Sequence, residues 1–163
     1  MTYASLAVAL SLFLASGASA AEPVVAPEPR SAISQESFFA GLVSEAERLK
    51  RETDGFTPAL SLLSKHRFKT YAKDIRALSA GDLQGHMTLK ARGTDSDLKC
   101  ILTGVSRDLP IKLSAIEAAK SDADLKTALT NMSELLSDNI DVIVTPATTE
   151  SGLDCTIEFG PDA

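Results

Sequence analysis

The chain of 163 residues has no tryptophan, two cysteines and two histidines, and aromatic side chains make up only 5% of it. So few rings leave little material for the base-stacking platforms of single-stranded nucleic acid binders. The formal net charge of −6 argues the same way, since phosphate backbones repel an acidic chain. No nucleic-acid partner is therefore expected. His66 and His86 stand far apart, with no His-x-x-x-His or His-Glu-x-x-His spacing, and no Cys-x-x-Cys occurs. Metal and cofactor binding have no sequence support, and both histidines read as surface residues. Gly-x-Ser-x-Gly is absent, and the nine glycines are scattered rather than grouped into a phosphate cradle. Nothing announces a catalytic constellation. Thr94-Asp95-Ser96-Asp97 is too short for a calcium loop and reads as turn chemistry.

What the chain does contain begins with an uncharged opening, "MTYASLAVALSLFLASGASA", whose apolar run spans Leu6 to Ala15. It closes on Ala18-Ser19-Ala20, small residues where a signal peptidase cuts, and the run is too short for a permanent membrane span. Residues 1–20 are expected to be a signal peptide, although no Lys or Arg precedes the run. Residues 21–33 hold three prolines and read as a flexible linker. Residues 34–163 are expected to form a single domain. The expected location is periplasmic or secreted, with no membrane span after cleavage. Such a compartment favours oxidised cysteines, so Cys100 and Cys155 are expected to form a disulfide that closes a long loop. Chain entropy alone would give such a link about 4 kcal/mol.

Residues 34–52 carry Phe39, Leu42, Val43, Ala46 and Leu49 on one helical stripe behind Ser34 as a candidate N-cap. Thr57-Pro58 suggests a second helix to about Ser79, with the stripe Phe68, Tyr71, Ala72, Ile75 and Leu78 and a bend near Lys65. From Gln84 the apolar period changes to two. Met87, Leu89 and Ala91 alternate with polar residues, and Leu98, Cys100 and Leu102 do the same after the turn at 93–97. Asp108 and Pro110 open a helical region to about Ser137, and Ser121-Asp-Ala-Asp124 reads as a fresh helix start. Ile140, Val142 and Val144 suggest a third strand, and Leu153, Cys155, Ile157 and Phe159 a fourth. The expected fold class is thus α+β. An N-terminal helix pair precedes ββαββ, and a mainly antiparallel sheet is covered by helices and held by one disulfide.

Under that reading Ile101, Val105 and Ile143 point outward from the sheet, rimmed by Lys90, Arg92, Asp141 and Glu158. Such an apolar face is the one candidate docking surface. Charge is also uneven. Up to Arg92 there are eleven basic and nine acidic residues; from Gly93 there are five and thirteen. The expected function is a small exported, non-enzymatic binding or accessory protein that contacts another envelope or secreted protein and needs no cofactor. One alternative is an inhibitor or immunity protein whose acidic half blocks a secreted or cell-wall-active enzyme. Another is a hydrolase whose site assembles only on folding.

Overall fold

A computed structural model of the chain describes residues 31–93 and 96–145. Four α-helices account for most of them: α1 (Ser37–Asp54), α2 (His66–Arg92), α3 (Ser96–Glu117) and α4 (Asp122–Val144). Short 3-10 turns at Ile33–Gln35 and Leu60–Ser64 precede α1 and α2. Each helix buries a stripe repeating every three or four residues. In α1 it is Phe39, Leu42, Val43, Ala46 and Leu49; in α2 it is Phe68, Tyr71, Ala72, Ile75 and Leu78, as the periodicity predicts. Helix α3 buries Leu98, Leu102, Val105, Leu109, Leu113 and Ile116, and α4 buries Leu125, Leu129, Met132, Leu136 and Ile143.

Side-chain pairs fix how the helices run. Arg48 meets Asp74 and Thr53 meets Tyr71, while Glu36 at the other end of α1 meets Arg92, so α1 and α2 are antiparallel. Arg76–Glu117, Ser79–Ser106 and His86–Lys99 make α2 and α3 antiparallel. Ser31 bonds to the carbonyls of Ile143 and Val144 just before α1, and Asp54 at its far end bonds Ser133, so α4 also runs against α1. Helices α3 and α4 pack on each other, and the three antiparallel pairings above make them antiparallel as well. The result is an up-down-up-down four-helix bundle with α1 opposite α3 and α2 opposite α4. Among the described residues, no helix is long and apolar enough to cross a membrane.

The expected α+β class is wrong for this region: no strand or sheet occurs among the described residues. Residues read as the first strand are the last turns of α2, which bury Asp82, Gly85, His86 and Leu89. That is a helical stripe, hidden because three of its four members are not apolar. Met87, which alternation turned inward, is 53% exposed. The expected second strand is the start of α3, and the third is the last turns of α4. The expected fourth strand, 153–159, lies outside the described residues. The described cysteine, Cys100, is not a free thiol, and the expected pairing with Cys155 reaches outside the described residues. Leu98 and Leu102 share the core stripe, whereas buried Cys100 sits about 200° around the helix from Leu98 rather than beside it on a strand face. Cys155 lies outside the described residues.

Helix boundaries also moved. Ser34 is not a cap: it is buried before α1, where its hydroxyl donates to the Ser31 carbonyl, and Glu36 occupies the N-cap position. The bend expected near Lys65 is a true break between the 3-10 turn and α2. Ser121 does open a helix, its hydroxyl accepting from the Asp124 amide at 3.1 Å with Asp122 and Asp124 in the first turn. Pro110 does not begin α3 but lies inside it. A proline there withholds the amide that the Ser106 carbonyl needs. Ser79 of α2 supplies the missing donor, its hydroxyl reaching that carbonyl at 2.6 Å. Gly93 ends α2 with φ of 68°, a left-handed conformation that favours glycine.

Candidate functional site

Between α3 and α4 runs an open surface groove of about 400 Å³. Ile101, Gly104, Val105 and Asp108 line one wall; Leu135, Asp138, Asp141 and Val142 line the other. Spacings of three and four residues put each set on one helix face. Gly104 is half-buried in its wall and adds no side chain to it. Ile101 is 37% exposed, whereas Val105 is buried and forms the base. Asp108, Asp138 and Asp141 are exposed along the edges, and no basic side chain is among the described residues that line the groove.

The charges on the other side of the bundle are arranged differently. Arg48 bridges Glu45, Glu52 and Asp74; Arg67 meets Glu52, Arg76 meets Glu117, and Arg92 meets Glu36. Those contacts hold the Glu36 carboxyl below the usual range, chiefly through its hydrogen bond with Arg92. Much of the basic surplus in the first half is thus spent within the α1–α2 face and on Glu117. Among the described ion pairs, none engages Asp108, Asp138 or Asp141. The acidic rim of the α3–α4 groove is left facing solvent.

The sequence-derived docking residues divide accordingly. Ile101, Val105 and Asp141 do come together, on a helical seam rather than on a sheet. Ile143 does not join them: it is wholly buried in the core. Lys90 is exposed near the end of α2, and Arg92 is paired with Glu36. Glu158 lies outside the described residues. Asp108, read from sequence only as a helix start, and Leu135 and Asp138 were not placed at the docking face, although Asp108 lies three positions after Val105 and Asp138 three before Asp141.

A second polar feature sits inside the bundle. Asp82 and Asn139 are wholly buried and His86 is nearly so. The Asn139 amide donates to Asp82 Oδ2 at 2.8 Å, linking α2 to α4 across the diagonal of the bundle. His86, one turn further along α2, uses Nδ1 to donate to the Lys99 carbonyl of α3 at 2.7 Å. Asp82 Oδ1, Asn139 Oδ1 and His86 Nε2 have no hydrogen-bond partner among the described residues. Burial pushes the Asp82 carboxyl up to about 7, and the bond from Asn139 offsets this only in part. Thus His86 is not the surface residue that sequence suggested, whereas His66 is exposed at the start of α2. Neither histidine lines the α3–α4 groove or the surface cavities beside Phe56.

Comparison with protein families, with curated proteins and with solved structures finds no match for the chain. Its surface and core must therefore be read on their own chemistry.

Proposed function

We propose that the chain is a small exported, non-enzymatic binding protein that holds a cationic, amphipathic helical segment of another envelope or secreted protein in the α3–α4 groove. The carrying observation is the apolar floor of Ile101, Val105, Leu135 and Val142 beneath three carboxylates that no described cation neutralises. A helix lying in such a groove buries its apolar stripe against the floor and places Lys or Arg opposite the rim. Export is supported by the uncharged apolar opening of the sequence and its small-residue close.

The test uses a peptide of leucine and lysine at helical period, titrated into the isotopically labelled protein. Amide shifts should concentrate at 101–108 and 135–142, and affinity should fall as salt rises. Asp138→Lys combined with Asp141→Lys should weaken the complex by about tenfold or more while leaving the fold intact. Shifts confined to α1 and α2, or an affinity unchanged in the double variant, would contradict the proposal.

A further inference from the structure

The hydrogen bonds around Asp82 are incomplete in a particular way. Its Oδ2 accepts from the Asn139 amide, while its Oδ1 and the Asn139 carbonyl oxygen both lack a partner among the described residues. An ionised carboxylate has only acceptors, so neither unpartnered oxygen can serve the other. A carboxylic acid and a carboxamide, in contrast, each carry one donor and one acceptor and can close a cyclic pair. Protonation of Oδ1 supplies the one donor that both buried oxygens lack. Leaving them unmatched is costly at zero exposure.

We propose that Asp82 and Asn139 form a proton-binding site whose occupancy braces α2 against α4, so that the bundle tightens in mildly acidic surroundings and loosens as the proton leaves.

Among the described residues, no charge beside the site holds the carboxylate form. From α1, Phe39 and Leu42 approach across Gly81 and Gly85. At the same level α3 presents buried Leu102, Thr103 and Ser106, and α4 presents Asn139 between buried Leu136 and Ile143. Within α2 the neighbouring titratable side chain is His86, whose Nδ1 is already committed to the Lys99 carbonyl. Asp138, Asp141 and Lys90 lie on exposed faces. With burial as the main influence, the carboxyl keeps its proton to about pH 7 in the folded chain but releases it near 3.8 when unfolded. Stability from this group is therefore greatest in acid and is lost as pH rises between those values.

Asp82→Asn tests the proposal, because an amide at 82 can close the same cyclic pair at every pH. In urea unfolding of the full chain, wild type should lose stability relative to Asp82→Asn on going from pH 5 to pH 8. The relative folding constant should fall on the order of 100-fold, one proton's release across that range. His86 is present in both proteins and cancels in the difference. A difference that does not change with pH would overturn the proposal. Should Asp82→Asn fail to fold, the infrared carbonyl stretch of a protonated carboxyl decides. Wild type should show it at pH 6 and lose it by pH 8; no such band at pH 6 would overturn the proposal as well.

Discussion

Ile143→Ala should cost about 2–5 kcal/mol of stability, while Val142→Ala, one position earlier, should cost under about 1 kcal/mol. Ile143 is wholly buried among core side chains, so truncating it leaves a cavity that close packing cannot readily refill. Val142 is only partly buried and lines the α3–α4 groove, where water replaces the lost methyl groups. A strand through 140–145 reverses the order, because alternation points Val142 inward and Ile143 outward. Denaturant midpoints at constant slope distinguish the two arrangements directly.

The second large effect is expected at Asn139. Replacement by leucine fills a similar volume but removes the donor bonded to Asp82. At pH 8 the change takes the described donor from a buried carboxylate, which can take up a proton instead. The loss should therefore exceed that at pH 5 by up to about 1.4 kcal/mol, one pH unit above the Asp82 value. At pH 5 the acid is neutral, and the penalty should be on the order of 1–3 kcal/mol for an unpaired polar group. The direction follows from the raised value at Asp82: burial favours the protonated form, so the acid side of about pH 7 is the tolerant side. Unfolding of Asn139→Leu at the two pH values measures both numbers.

Much of the helical core was readable. The stripes of α1 and of the first half of α2 fell where the three-and-four spacing of Phe39 to Leu49 and Phe68 to Leu78 placed them. The start of α4 was announced by Ser121 and its two first-turn acids. The misreadings cluster where the buried face is polar or glycine-bearing. Across Asp82, Gly85 and His86 the inward stripe has no apolar signature, so Met87, Leu89 and Ala91 supplied a false period of two. In α3 the true stripe, Leu98 to Ile116, extends over six apolar positions, but Cys100 between Leu98 and Leu102 imitated a strand face. A window longer than eight residues favours the helix there.

The candidate site was legible only in part, for the same reason. Ile101, Val105 and Asp141 carried the signal, but their true companions lie at helical offsets. The buried proton site had no motif at all. Asp82 and Asn139 are 57 positions apart, and only the antiparallel packing of the bundle brings them together.

The most direct test of the binding assignment places a photo-crosslinking residue at Ile101 in one preparation and at Met87 in another. Both positions are apolar and exposed, Met87 more so, but only Ile101 lies within the acid-rimmed groove. In native extract at low salt, Ile101 should crosslink a discrete basic partner that added salt releases, and Met87 should not. Equal capture at the two positions, or capture at Met87 alone, would contradict the account.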